Sequence, residues 1–585
     1  MTDTLSGTVR WLGLGVGLLS MSVSGYQLFH LPLWSYWPIA FFLGLWMTYI
    51  FLTRWKYVRE TAHIARATLS GVLLALAFPS PGITPLIFVA FIPLFLVTRD
   101  LYGRPGEGRR VFFYAFHAFY LWNALSTFWV MNTAFVAGLT AIGLNSLFMA
   151  CVYWLAFQTQ KRLTGGILPW LVIPAYWTTF EWLHLHWDLA WPWLNLGNYF
   201  AAHPAWVQWY AYTGAFGGAL WIWVANILGY VMWTARNDED RRGFWKAATW
   251  FAIVLFVPLT IGLVQYNRYT ETGKPIQVAV VQPNFEPHYE KFTIPDEEQL
   301  QRFLRLGRSV LTDSTDYLIF PETSFGPFPS NFLEDQPVID SLQALVDGHP
   351  QLHLLTGLSS YMIYTAENKP AGDFDQYGDK FVAQENSAWQ FTAHEPPSKY
   401  LKSIFVPGAE LFPFKRFLPF LRPIVKKLGG AMGDWGHQEH PTAFHGQASN
   451  VGPVICYESI FGQYDIGYVL DGAQWLAVMT NDGWWDDTPG HRQHAALARL
   501  RAIELRKDVV RSANMGWCSF INQRGDIEVV NNYGEEAAAR QTIYANDTVT
   551  YYARIGDFIA RIALLISGLA AIVAVTAKYR KKDQV

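Results

Sequence analysis

Cys456, Glu322 and Lys402 are the side chains in this sequence whose types and settings suit nucleophilic acyl chemistry. Cys456 follows the apolar run Val451-Gly452-Pro453-Val454-Ile455 and precedes Tyr457-Glu458. The thiolate is the attacking form of cysteine, and a nearby cation lowers a thiol pKa from about 8.5. Lys402 is expected to be that cation and to stabilise the oxyanion formed on attack. Glu322, where an apolar run closes on Pro321, is expected to take the thiol proton and later to activate a second nucleophile. Taken singly, each has a plainer reading, as a core cysteine or a solvated surface charge. The three together carry the expectation. No histidine lies in a motif beside these strand ends, which gives a Cys–His pair less support. Cys151, inside an apolar run, and Cys518, after Trp517, read as inert packing residues, and three cysteines cannot build a disulfide framework.

The elements that must hold these groups are legible from residue 275 onward. Ile276 to Val281, Tyr317 to Phe320, Leu352 to Thr356, Val451 to Ile455 and Trp475 to Thr480 read as strands. Helical patterns cover 296–311 and 490–507. Strands alternating with helices predict a layered α/β domain. Polar residues just past several strand ends mark where such folds build their sites. There is no Gly-rich phosphate loop and no His/Cys metal spacing, so neither a cofactor nor a metal is expected.

The rest of the chain is of another kind. Of 585 residues, 51% are hydrophobic and only 15% charged, against roughly a quarter charged in soluble domains. The deficit falls in residues 1–265. A helix needs about 20 apolar residues to cross a bilayer core. Candidate spans lie near 8–30, 36–53, 62–79, 83–98, 112–132, 139–158, 166–185, 206–233, 246–265 and 556–577. The third and fourth are short, with Pro79, Pro81 and Pro85 between them, and suit a tight hairpin that does not fully cross. No A-x-A site follows the first span, which reads as retained rather than cleaved. Loops bearing Arg54, Lys56 and Arg59, Arg99 to Arg110, Lys161 and Arg162, and Arg236 to Lys246 alternate with loops 80–85, 133–138 and 186–205, which hold no Lys or Arg. By the positive-inside rule both termini are cytoplasmic and residues 266–555 lie outside. The expected division is two additional N-terminal spans at 1–55, a helical membrane domain at 56–265, a catalytic domain at 270–550 and a last span at 556–577. A net charge of -2 gives no reason to expect nucleic acid, and nothing indicates an oligomer, so a monomer is expected.

Several stretches together resemble the nitrilase superfamily, whose members use a Glu-Lys-Cys triad on an α-β-β-α sandwich. They are Leu318-Ile319-Phe320-Pro321-Glu322, Tyr400-Leu401-Lys402 and Ile455-Cys456-Tyr457-Glu458, followed by Asn481-Asp482-Gly483-Trp484-Trp485, Gln493-His494 and Arg499 to Glu504. Within it, the sequence is similar to the apolipoprotein N-acyltransferase family, which carries such a domain outside the bacterial inner membrane between its seventh and eighth spans. Trp191-Pro192-Trp193-Leu194-Asn195-Leu196-Gly197 resembles that family's P-W-x-x-L-G loop. Val406-Pro407-Gly408-Ala409-Glu410 resembles its V-P-F-G-E motif, with Gly-Ala in place of Phe-Gly, and Asn386 matches its active-site asparagine. Leu401 stands where the family commonly has His or Asn, and residues 1–55 lie beyond its usual spans.

The resemblance implies a ping-pong reaction. Cys456 would take an acyl chain from a phospholipid, typically phosphatidylethanolamine, and pass it as a thioester to the α-amino group of a diacylglyceryl-cysteine apolipoprotein. Glu322 would be the base, and Lys402 with a backbone N–H near Tyr457 would hold the oxyanion. Glu410, Glu458 and Asn386 would orient Lys402 and the substrates, although Glu458 also reads as a buried salt-bridge partner. The rival reading is a membrane-tethered amidase or nitrilase that hydrolyses a small amide with the same triad.

Overall fold

The computed structural model describes residues 7–52, 58–163, 166–291, 293–370, 374–393, 395–415, 417, 420 and 435–582. Its first half is a bundle of helices: α1 (Gly7–His30), α2 (Trp37–Leu52), α3 (Val58–Ala77), α4 (Ile92–Leu101), α5 (Glu107–Thr127), α6 (Val130–Thr133), α7 (Phe135–Gln160), α8 (Leu168–Leu183), α9 (Tyr210–Thr213), α10 (Ala215–Asn237) and α11 (Arg241–Arg268). Among the described residues, six helical segments are long and apolar enough to cross a membrane, and Trp37–Leu52 and Thr61–Ala77 are apolar but shorter. The expected spans at 112–132 and 166–185 correspond to α5 and α8, which fall outside that set. The expected span at 206–233 is displaced. Gly214, at φ +61°, ends the short α9 and restarts the chain as α10, so the long helix begins at Ala215.

Paired side chains gather the basic loops at one end of the bundle. Arg66 pairs with Asp100 across α3 and α4, and Lys161 pairs with Glu107 across α7 and α5. The 186–205 loop, which lacks Lys and Arg, and Asn132, just before the 133–138 loop, meet the second half of the chain. Asn132 donates to the Trp485 carbonyl, Trp193 donates to Gln493, and Tyr457 donates to the Ala190 carbonyl.

That second half is two facing sheets between helices. One sheet has the order β13-β1-β2-β4-β6-β5 (β1 Lys274–Gln282, β2 Tyr317–Ile319, β4 His353–Tyr364, β5 Asp375–Tyr377, β6 Lys380–Phe391, β13 Ala537–Ala545), with β3 (Phe325–Pro329) on β4 and β7 (Ser398–Leu401) on β6. The other runs β12-β11-β10-β9-β8 (β8 Val451–Ile455, β9 Trp475–Thr480, β10 Val509–Ala513, β11 Ser519–Ile521, β12 Ile527–Val529). In β1, Val278 and Val280 face the other sheet, while Ala279 and Val281 face α12 (Asp296–Val310) and α13 (Pro337–Asp347). Burial on both faces is why these strands read as unbroken apolar runs. Ser512 Oγ stitches the sheets by donating to the carbonyls of Val281 and Ile319, at 3.1 Å each.

Behind the second sheet lie α14 (Gly462–Leu470) and α15 (Pro489–Leu505), completing an α-β-β-α arrangement. One face of α15, with Ala498, Ala502 and Leu505, packs on the sheet, and another, with Leu497, Leu500 and Ile503, packs into the membrane bundle. A helix wedged between two cores has no solvated face, and so it lacks amphipathic periodicity. The chain returns through α16 (Tyr551–Ile555) to α17 (Phe558–Lys582), beside α8. Cys518 is buried as expected, but Cys151 is exposed on the outer face of α7 and is no packing residue.

Candidate active site

The site is built where strands of both sheets end. β2 delivers Glu322, β7 delivers Lys402 and β8 delivers Cys456, and all three are buried. Lys402 Nζ lies 3.1 Å from Glu322 Oε1 and 2.8 Å from Glu410 Oε1. Asn386, on β6, donates to Glu322 Oε1 at 2.8 Å and to Glu410 Oε1 at 3.3 Å. The other Glu410 oxygen accepts the Val406 N–H at 2.8 Å, which closes the loop that Gly408 turns at φ +86°. The glycine that replaces phenylalanine here supplies a backbone angle most side chains resist. One cation therefore sits between two carboxylates, and one amide spans both carboxylates.

The electrostatics of this cluster differ from the sequence expectation. Burial opposes the Glu322 charge, but Lys402 and then the Asn386 hydrogen bond hold its carboxyl below the usual range. Burial likewise opposes the Lys402 charge, and Glu322 with Glu410 outweighs it, keeping the ammonium well above its ordinary value. Burial and then Glu322 push the Cys456 thiol well up, and Lys402 offsets this only in part. Lys402 does act on the thiol in the expected direction, but burial and the Glu322 charge outweigh it.

Cys456 has φ +48°, in the left-handed region that non-glycine residues seldom adopt. Such strain at a nucleophile persists only where surrounding bonds enforce it. Here the Cys456 carbonyl accepts from Ser459 Oγ at 2.7 Å and lies 3.3 Å from His494 Nε2. His494 Nδ1 in turn meets Asp482 Oδ1 at 2.8 Å, and Asp482 Oδ2 accepts from the buried Arg511 at 2.9 Å. A histidine thus does reach Cys456, through its backbone. Glu458 belongs to the same support. Its Oε2 accepts the Ile455 N–H at 2.9 Å, and its Oε1 accepts Tyr400 Oη and the Ser403 N–H, each at 2.7 Å. It is held by neutral donors rather than by the salt bridge its sequence setting allowed, and it ties the strand bearing Cys456 to the one bearing Lys402. Tyr457 stacks on Trp191 of the membrane bundle.

Sequence reasoning missed Lys291. Its Nζ donates to Thr323 Oγ1 at 2.7 Å and to the Glu322 carbonyl at 3.3 Å, bracing a turn in which Thr323 has φ +48°. Burial brings its ammonium down to about 8, with Glu322 opposing that fall. A lysine in the loop after β1 gives no sequence signal of such burial. Arg511 did give one, as a cation inside an apolar strand.

Both halves of the chain are similar to known proteins. The family described as apolipoprotein N-acyltransferase N-terminal domain matches residues 70–228, and the carbon-nitrogen hydrolase family matches residues 277–551. The apolipoprotein N-acyltransferase of Chlorobaculum tepidum is 29% identical over 526 residues, covering 87% of this chain and 96% of that protein. Its counterpart from Geobacter metallireducens is 28% identical over 534 residues, covering 88% and 95%. Among solved structures, an amidase from Nesterenkonia sp. aligns with 49% of this chain and 95% of its own, at 15% identity and a TM-score of 0.32. With a membrane bundle matched by one family, an α-β-β-α domain matched by the other, and relatives of one name spanning nearly the whole chain, this protein is similar along almost its full length to the apolipoprotein N-acyltransferases, acyltransferase enzymes, and its second half is a nitrilase-like domain.

Proposed function

We propose that the protein transfers a fatty acyl group from a phospholipid to the N-terminal amine of diacylglyceryl-cysteine apolipoproteins, through a thioester on Cys456. The observation that carries this reading is the place of the nucleophile. Tyr457, the residue after Cys456, is bonded to Ala190 and stacked on Trp191, both in a loop of the membrane bundle. A nucleophile set against membrane helices suits an acyl donor that stays in the lipid phase, and an enzyme hydrolysing a small soluble amide has no use for that placement.

In the first half-reaction the Cys456 sulfur attacks the ester carbonyl while Glu322 takes its proton. Lys402 and the Tyr457 N–H, at the start of a helical turn where N–H groups lack intrahelical acceptors, hold the oxyanion. The ester C–O bond breaks, Glu322 returns the proton to the departing oxygen, and lysophospholipid leaves. In the second half the apolipoprotein amine attacks the thioester and Glu322 takes the amine proton. The C–S bond then breaks and the thiol is restored. Glu410, Asn386 and Glu458 keep Lys402 and the strand ends in register.

Phosphatidylethanolamine is the proposed donor and a single chain the proposed working unit, since one chain carries every residue named. Orientation follows from the charged loops. The catalytic half sits at the bundle end whose loops lack Lys and Arg, which supports a periplasmic site in the bacterial inner membrane. Initial rates measured while phospholipid and acceptor lipopeptide are both varied should give parallel double-reciprocal lines, the mark of a ping-pong enzyme. Intersecting lines would require both substrates to bind before chemistry and would remove the acyl-enzyme.

A further inference from the structure

The family match begins at residue 70, so it says nothing about α1 and α2. These helices pack along the bundle through aromatic pairs, Phe42 on Tyr120, Phe41 on Phe135 and Trp46 on His117. Tyr120 Oη also donates to the Phe42 carbonyl at 3.2 Å, and the polar contacts of the turn joining α1 and α2 are of a different sort. In the turn between them, the N–H groups of Trp34 and Ser35 donate to Asp486 Oδ2 at 3.0 and 2.7 Å. Asn132 adds a third donor to the same oxygen at 3.2 Å, and also reaches the Ser35 and Trp485 carbonyls at 3.1 Å each.

Asp486 is not a bystander in the catalytic half. It follows Trp485 directly and has φ +55°, so the turn it makes needs outside support. The Trp485 ring lies 4.7 Å from Trp129, 5.5 Å from Trp193 and 5.5 Å from His494, centroid to centroid. His494 is the ring beside the Cys456 carbonyl. An unbroken series of contacts therefore runs from the turn between α1 and α2, through Asp486 and the Trp485 ring, to the backbone that aims the nucleophile.

We propose that the N-terminal hairpin is a positioning element of the active site: its turn fixes the Trp485–Asp486 loop, and with it the aromatic wall and the His494 contact behind Cys456. The inference rests on the reading of Cys456 as the acyl carrier. Had the hairpin only thickened the bundle, its aromatic pairs would suffice, and three donors would not converge on one carboxylate oxygen of the catalytic half. An asparagine carbonyl can accept the same three donors, whereas a leucine cannot. Proline at position 35 would remove one donor and cannot take the φ of +46° found there.

The test uses the full-length protein and follows the single-turnover rate of acyl-adduct formation on Cys456 with phosphatidylethanolamine, alongside the lipid KM. Asp486→Leu and Ser35→Pro should each slow acylation about tenfold with the lipid KM unchanged, and the double variant should be no slower than either single, because both break one linkage. Asp486→Asn should stay within about twofold of wild type. If Asp486→Leu does not fold, Asn132→Ala replaces it in the same cycle, with the same non-additive result expected. Multiplicative slowing in the double variant, or unaltered rates in both singles while the wild type acylates normally, would overturn the proposal. A wild-type protein that forms no adduct at all would instead count against the thioester reading.

Discussion

At the scale of single residues, the site sets a charged cluster beside a thiol that burial and Glu322 push well up. Lys402 pairs with both Glu322 and Glu410, and in the proposed mechanism it stays charged in a dry place to meet a developing oxyanion. Glu322→Gln should therefore leave a folded protein, since Glu410 still balances Lys402, but lower the acylation rate by roughly 10²- to 10⁴-fold through loss of the base. Burst measurements of lysophospholipid release would read this directly. Glu458 supplies a second prediction. Burial carries its carboxyl from 4.5 up to about 7. A folded pKa raised above the unfolded one means that its share of stability is complete below 4.5 and is lost as pH rises through 7. Thermal unfolding followed across that window should show a shallower decline in Glu458→Gln. The same variant should be less stable at low pH by about 1–3 kcal/mol, because the Ile455 N–H loses its acceptor. Glu322 and Cys456 stand where apolar runs stop, a place that sequence marks well, whereas Lys402 follows Ser398-Lys399-Tyr400-Leu401 and was marked by the family resemblance. The protonation of Cys456 was not legible, since it depends on which charges Lys402 meets in space. Lys291 was invisible for the same reason.

At the scale of elements, strand ends carry the chemistry and close backbone approach sets their spacing. Gly357 on β4 shows the tolerance. A Cβ there would lie 2.6 Å from Glu322 Cα and from the Thr323 backbone nitrogen, and its own N–H donates to the Pro321 carbonyl. Gly357→Ala should push the Glu322 turn away from Lys402. The expected cost is about 1–3 kcal/mol of stability from overpacking, with a larger proportional loss of turnover than of folded protein, measurable by comparing kcat with the melting transition. The five strands expected from sequence all exist because each is buried on both faces and rich in β-branched or aromatic residues. β5 is exposed throughout and β13 begins with three alanines, so composition gave neither a β signal. The stretch 411–422, whose apolar residues are interrupted by cations as in a segment lying at the headgroup boundary, is described only in part. Phe412 is buried and the Phe414 N–H is anchored on Asp188, while Phe417 is exposed. Arg416, Leu418, Pro419, Leu421 and Arg422 lie outside the described residues.

At the scale of the whole molecule, one hydrophobic core runs from the membrane bundle into the catalytic half, through Tyr457, Ile460, Phe461 and the outer face of α15. Such a junction sets the site at one end of the bundle, and the charge of the loops supports the proposed side of the membrane. In a Cys151→Ser background, a cysteine at the exposed Tyr377 should react with a membrane-impermeant maleimide in intact spheroplasts, and one at Arg104 only after lysis; the reverse pattern would invert the topology. The division into a membrane bundle and a layered α/β half was legible from hydropathy and strand spacing. Their shared core was not, because α15 is buried on all sides and its pattern names no partner. The account stands most directly on one measurement, intact and peptide-level mass spectrometry of the purified protein after incubation with phosphatidylethanolamine and no acceptor. The predicted result is a single acyl group, removable by hydroxylamine, on the peptide containing Cys456, absent in Cys456→Ser and discharged by an apolipoprotein-like amine. An adduct on another residue, or turnover by Cys456→Ser at the wild-type rate, would contradict it.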